Sequence, residues 1–484
     1  MTTALTLTTL VAYLLLLFVV AARSSRNGNN STFFKGDRQQ SPLVVAVALM
    51  GAPISGISLI SLPGSVALSA FSYLQFMFGV IVGYTIIAYL LIPLYYRLNV
   101  TSLYEYLDNR FGVSSHRSGA WIFFVSKVLS AALRAFVICI VVQQLLCNTL
   151  GVPFFVTAMV FMLLVWLYTH KGGVTSVVWT DMVKTLCMVG CIALAIVFVL
   201  RSLGLSLGEA MAQASERGFT QIFFFDDVND SRHFLKMFIS GIFLIVANTG
   251  LDQDVMQRVL SSRTERSAPR NMILSSLSQT VIIGLMLVLG AMFHLYLTES
   301  NLSVAKPDDV FAFVATREGV PMALSALLIL GIVSATFSTT GSALTSLTTA
   351  FTMDILGGAK SYTEERLTRV RKVVHIAIAV ALLVLIFAFE RWSSDSAINI
   401  FYRLASYTYG PLLGMFAFGI FTKRGVHDRW VPIVVVLAPA LSFLLDHYSQ
   451  TLFGGYNFGF EILLVNAAFT MLGMLILSKG VDRQ

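Results

Sequence analysis

Charge is scarce in this chain: Asp, Glu, Lys and Arg together make up 12% of its 484 residues, against 56% hydrophobic ones. A water-soluble domain carries about a quarter of its residues as charges, so the shortage excludes an ordinary globular surface. Cysteine is also scarce. Cys139, Cys147, Cys187 and Cys191 all fall inside apolar stretches and form no CxxC pair, which leaves neither a cluster motif nor a disulfide framework to expect. There are seven histidines and no HExxH, and no nucleophile stands beside a base in a recognisable motif, so the signatures of an intramembrane enzyme are missing. The net charge of +8 is dispersed through short loops with no aromatic-interleaved basic patch, which argues against nucleic acid as a partner. No segment reads as a soluble domain or a low-complexity linker, and nothing in the sequence points to an obligate protein partner.

What is present is apolar length. Mean hydropathy is +0.79, and stretches of about 20 residues, enough to cross a hydrocarbon core of roughly 30 Å, recur from end to end. Reading them against polar breaks predicts an all-α membrane protein of about 13 transmembrane helices, near 5–23, 42–63, 70–97, 118–148, 153–169, 174–201, 233–256, 271–298, 320–356, 370–390, 396–421, 430–448 and 459–478. The first stretch has its basic flank, Arg23 and Arg26, after the apolar run, which suits a retained anchor rather than a cleaved signal. With the N-terminus outside, the inner loops gather most of the Lys and Arg, including Arg258, Arg263, Arg266, Arg270 and Arg366 to Lys372. That asymmetry predicts a multi-pass protein of a bacterial inner membrane with a cytoplasmic C-terminus. In the long outside loop, Ser206 to Arg217 reads as a short capping helix.

Two stretches are interrupted. The second contains Gly51-Ala52-Pro53-Ile54-Ser55-Gly56 and the seventh Ala247-Asn248-Thr249-Gly250-Leu251-Asp252-Gln253. Proline removes a backbone donor and glycine loosens a helix, so carbonyls near these points can turn toward a cavity. Interruptions at corresponding positions of two halves point to a transporter binding site. The ninth stretch carries Ser338, Thr339 and Ser342 among other hydroxyls, a set that suits either a desolvated alkali cation or close helix packing. Asp181 lies inside the sixth stretch, where an ionisable group costs at least roughly 2.5–3.5 kcal/mol; it pairs with Lys184 three residues on, or it serves an ion site or proton relay. Lys127, near the inner end of the fourth stretch, can snorkel to the interface. Arg134 lies deeper, and either pairs with a protein carboxylate or receives an anionic group of a substrate. Arg403 is a weaker second case of the same kind.

Several segments in order resemble the sodium/solute symporter family: Phe33 to Arg38, Ser102 to Leu107 with Arg110-Phe111-Gly112, Gly172-Gly173 leading to Thr180-Asp181, Gly250 to Gln253 with Gln257-Arg258, and Phe351 to Asp354. The resemblance runs to about Lys423. It implies a five-plus-five inverted-repeat core of the LeuT-like kind over 42–421, with repeat one about 42–201 and repeat two about 233–421. Residues 1–41 then form a first helix and inner loop, and 422–484 two further helices and a short tail.

The same resemblance implies a sodium-coupled symporter with Na+ as coupling ion, one or two per cycle. The main site falls on the carbonyls of Gly51, Ile54 and Ala335 and the hydroxyls of Ser338 and Thr339. A second sodium, as in sialic acid symporters, would use Asp181, Ser338 and Ser342, although Gly341 stands where such sites often have a hydroxyl. Arg134 matches the arginine that holds the substrate carboxylate in sialic acid symporters, and Ile245 replaces a sugar-binding asparagine, so a small organic anion such as a sialic acid is the expected solute. Ser55, Ser58, Gln75 and Asn248 are the further candidates for contact with it. The alternatives are a sodium- or proton-coupled symporter of a neutral sugar, amino acid or other solute, and a transporter-like sensor.

Overall fold

The computed structural model describes residues 3–24, 47, 50, 51, 54, 56–98, 103–143, 147–260, 267–304, 306–316, 322–357, 362–392 and 397–479. These are mainly helical, with one isolated bridge between Val426 and Ser478 and no strand among the described residues. The helices that matter below are α1 (Thr3–Ser24), α2 (Gly56–Ser69), α3 (Tyr73–Ile86), α4 (Val113–Val142), α5 (Phe154–Leu203), α6 (Leu207–Glu216), α7 (Phe234–Ile245) and α8 (Gln253–Leu260). They continue with α9 (Ser267–Glu299), α10 (Met322–Ala350), α11 (Glu364–Trp392), α12 (Ala397–Phe421), α13 (Val431–His447) and α14 (Ile462–Ile476).

Among the described residues, seven helices are long and apolar enough to cross a membrane, and four shorter apolar ones lie at Gly56–Ser69, Phe154–His170, Phe234–Gly250 and Ile462–Ile476. Their outward faces are apolar. On α11 the exposed Val373, Ile376, Val380 and Val384 recur at helical spacing, and on α13 Ile433, Val436, Leu437, Leu441 and Leu444 do the same. Water would penalise such stripes; lipid accepts them. The centre inverts the pattern, with Lys184 and Gln75 wholly buried and Asp181 and Asp252 nearly so.

The break expected at Lys171-Gly172-Gly173 is absent: helical hydrogen bonding runs through it, giving α5 its 50 residues. Two glycines weaken a helix but leave every N–H in place, so nothing there forces a stop as a proline would. A straight helix of that length would measure about 75 Å, more than twice the hydrocarbon core of roughly 30 Å. Its two limbs, Phe154–His170 and Trp179–Leu203, are separately apolar, and a bilayer accommodates both only if the axis turns between them.

Packing around the centre is tight. α10 lies along α5, α7 along α3, and α12 between α4 and α14. Where α3 crosses α7, a Cβ on Gly79 would overlap the Phe238 carbonyl and one on Gly241 the Phe76 carbonyl, so small residues let the two backbones touch. Outside the bundle, the short helix expected from Ser206 is present as α6, and it begins with a capping box in which Ser206 and Glu209 exchange hydrogen bonds. Those bonds, and first the one from the Ser206 backbone, hold the Glu209 carboxyl below its usual range.

Candidate functional site

The seventh stretch is interrupted as expected. α7 loosens into a π-helical turn at Val246–Gly250, Leu251 and Asp252 leave the helix, and α8 starts at Gln253. The carbonyls set loose find side chains: Tyr95 Oη donates to Gly250 O at 2.9 Å and Tyr104 Oη to Leu251 O at 3.1 Å. In the second stretch Ile54 lies outside helix and its N–H donates to Gly51 O at 3.0 Å. Between these two interruptions is a cavity of about 60 Å³, lined by Ser58, Arg134, Asp181, Asn248, Thr339 and Ser342 among others. The structure thus brings together six of the residues singled out from the sequence.

Arg134 comes from the middle of α4, and its guanidinium lies over the Phe401 ring, 4.6 Å from the centroid. Its Nε is buried without a hydrogen-bond partner. No carboxylate of the described residues forms an ion pair with it. A fixed cation with a spare donor, stacked on an aromatic face at the cavity wall, is equipped to take an anion.

Lys127 does not snorkel. It is 5% exposed, and its Nζ lies 2.9 Å from Asp252 Oδ2 and 3.0 Å from Asp254 Oδ2. Tyr409 Oη donates to Asp252 Oδ2 at 2.8 Å and Ser342 Oγ to Asp254 Oδ1 at 2.6 Å. Low-dielectric surroundings make a lone buried ammonium so costly that the snorkelling expected from its place near the inner end gives way to partners 125 or more positions away. The network ties α4, α8, α10 and α12 together below the cavity.

Of the expected sodium ligands, Thr339 faces the cavity and its Oγ1 donates to Ala335 O at 3.1 Å, so these two oxygens already sit side by side. Ser342 is engaged by Asp254. Gly341 has no room for a hydroxyl-bearing side chain, because a Cβ there would fall on the Tyr168 hydroxyl, which itself donates to Phe337 O at 2.6 Å. Asp181 is held by Lys184 at 3.5 Å. Ser55 and the side chain of Ser338 lie outside the described residues.

Gln75 is placed elsewhere. Its Nε2 donates to Arg232 O at 2.8 Å and its Oε1 accepts from Phe224 N at 3.2 Å, so it fastens the 218–233 loop rather than facing the cavity. Arg403 is not deep either: it is largely exposed and bonded to Asp446 at 2.6 Å. It borders a second cavity of about 440 Å³, together with Arg232, Lys236 and Glu461. In that wall Arg232 hydrogen-bonds Asp230 and holds its carboxyl below the usual range. Tyr73 and Tyr402 line both cavities, and their hydroxyls meet at 2.5 Å, with Phe76 and Phe460 packed around them. This aromatic partition was not legible in the sequence, where Tyr73 and Tyr402 look like ordinary core residues. Gln279 of α9, whose Oε1 is buried at the cavity wall without a partner, left no sequence signal either.

Residues 33–428 match the sequence model of the sodium:solute symporter family. The sodium-dependent multivitamin transporter of Oryctolagus cuniculus is 27% identical over 395 residues, which span 80% of this chain but 60% of that protein. The sodium/sialic acid symporter SiaT of Proteus mirabilis is 23% identical over 434 residues, 87% of this chain and 84% of its own. Among solved structures, a substrate-bound, outward-open Na+-coupled sialic acid symporter superposes with a TM-score of 0.84 at 20% identity, covering 98% of this chain and 99% of its own. The nucleobase-cation-symport-1 transporter Mhp1 superposes with a TM-score of 0.54 at 15% identity, covering 93% and 94%. At these identities the structural likenesses speak for the fold, that of a helical membrane transporter.

Proposed function

The chain belongs to the sodium:solute symporter family, and from that premise we propose that it takes up a small carboxylate-bearing solute, of the sialic acid class, driven by sodium through alternating access. The observation that carries this reading is Arg134, a cation in the central cavity with an unbonded Nε and no carboxylate paired to it among the described residues. Ser58 and Asn248 share the cavity and can hydrogen-bond the rest of the solute. Gln75 is not part of this proposal.

Sodium is cargo here, bound beside the break in the second stretch by the carbonyls of Gly51, Ile54 and Ala335 and the hydroxyls of Ser338 and Thr339. Neutral oxygens of this kind replace water around an alkali ion without trapping it. One sodium falling through 100 mV releases roughly 2.3 kcal/mol. A second ion at Asp181 and Ser342 would require Ser342 to leave Asp254 and Asp181 to leave Lys184, so one coupling ion is the reading adopted.

Two barriers flank the cavity. The Tyr73–Tyr402 pair closes it toward the larger cavity, and the Lys127–Asp252–Asp254 network closes the opposite side. At about 60 Å³ the central space holds a few waters by the usual allowance of about 10–15 Å³ each, so a sugar acid enters only when one barrier opens. Such a symporter has about 13 spans, inverted repeats at about 42–201 and 233–421 and an outside N-terminus, and works in a bacterial inner membrane. Uptake by proteoliposomes under an imposed sodium gradient tests it; accumulation that ignores sodium, or that favours neutral solutes, is the adverse result.

A further inference from the structure

The side chain of Lys184 is fully buried, yet it reaches in two directions that both matter for ion binding. Its Nζ donates to the Ile54 carbonyl at 3.3 Å and lies 3.5 Å from Asp181 Oδ1. Ile54 O is one of the five oxygens assigned above to sodium, and Asp181 is the anionic group of the second site. The neighbouring residue packs against the same break: Thr185 presses on Gly51 so closely that a Cβ there would overlap its hydroxyl, while its Oγ1 donates to the backbone carbonyl of Asp181 one turn back in α5 at 2.8 Å. The second limb of α5 is thus seated against the break of the second stretch, with an ammonium between a carbonyl and a carboxylate.

We propose that Lys184 is a tethered rival to the coupling ion: its ammonium occupies the Ile54 carbonyl and Asp181, so that sodium binds only as the ammonium is drawn off Ile54 toward Asp181. An ammonium and a sodium ion ask for the same thing, a few oxygens carrying negative charge, and both cannot share one carbonyl without strong repulsion at low dielectric. Asp181 is then the resting place of the displaced ammonium and neutralises it, which keeps a second sodium out. The chain thereby sets its own sodium affinity and its ion count through one side chain. This inference rests on the sodium site proposed above, and it determines how tightly that site binds.

The test uses the purified full-length protein with sodium chloride as the only probe, read by ²²Na+ binding and by thermal shift against choline chloride at constant ionic strength. Lys184→Gln and Lys184→Met remove the charge, the second keeping an unbranched stem for packing. The expected result is tighter sodium binding in both, by about tenfold or more in Kd, equivalent to roughly 1.4 kcal/mol. Adding Asp181→Asn to Lys184→Gln should keep the part of that gain that comes from vacating the Ile54 carbonyl and lose only the part owed to the freed carboxylate. A merely structural lysine predicts the opposite sign, weaker sodium binding alongside lower stability. Sodium binding in the parent with an unchanged or weaker Kd in both folded variants overturns this inference and leaves the symport reading standing. Absence of sodium-specific binding in the parent and in every variant removes both. Binding that appears only once Lys184 is replaced supports the rivalry and removes sodium as the parent's coupling ion.

Discussion

Arg134 gives the account its substrate class, and its chemistry is open to a graded test. Lysine in its place keeps the positive charge but loses the planar fork of donors and the stacking on Phe401. Arg134→Lys should therefore weaken binding of a carboxylate solute by roughly 1–3 kcal/mol, the scale of a charged hydrogen bond, and Arg134→Ala should abolish it. Sodium-induced stabilisation should survive both changes, since the sodium ligands lie on other helices; equilibrium binding of solute and of sodium, measured separately, checks this. Thr339→Ala should do the reverse, reducing sodium affinity about tenfold, or roughly 1.4 kcal/mol, with little effect on expression. The candidate residues were legible because ionisable and hydroxyl side chains stand out against apolar surroundings. Their pairings were not. Asp181 and Lys184 sit three apart and could be matched along the chain, whereas Lys127 finds Asp252 and Asp254 across the bundle and the contact of Lys184 with Ile54 spans 130 positions.

At the scale of whole helices, the departures from helix at Ile54 and at 246–252 were readable because glycine and proline change backbone hydrogen bonding directly. The continuous α5 was misread, since glycine pairs permit a break without requiring one. The aromatic partition is an element-scale device invisible to periodicity, as a tyrosine facing a partner helix and a tyrosine facing core have the same spacing. Its hydroxyl pair is the part to test. Tyr402→Phe removes one bond worth about 1 kcal/mol while leaving the packing on Phe76 and Phe460, so the barrier should open more often. A cysteine placed at Asn248, in a background lacking the four native cysteines, should then react severalfold faster with a water-soluble thiol reagent; an unchanged rate would mean that the Tyr73–Tyr402 contact does not control access. On the opposite side, Lys127→Ala leaves two buried carboxylates facing each other and should lower stability by about 3–5 kcal/mol, seen as a marked fall in the thermal midpoint in detergent.

For the molecule as a whole, fold class was the most legible property, because 12% charged residues and recurrent apolar runs leave helices in lipid as the consistent solution. Family membership follows from residues 33–428, and the ordered motifs had already pointed there. Substrate class rests on family membership together with Arg134 in the cavity, and it is the claim most exposed to test. The direct measurement is uptake into proteoliposomes of a panel of carboxylates headed by N-acetylneuraminate, with galactose as the neutral control, under an inward sodium gradient and under an equal potassium gradient. The account predicts that a carboxylate accumulates above its equilibrium level with sodium alone, that galactose does not, and that Arg134→Ala removes the accumulation. Uphill uptake that persists when potassium replaces sodium, or accumulation of galactose with Arg134→Ala fully active, would contradict it.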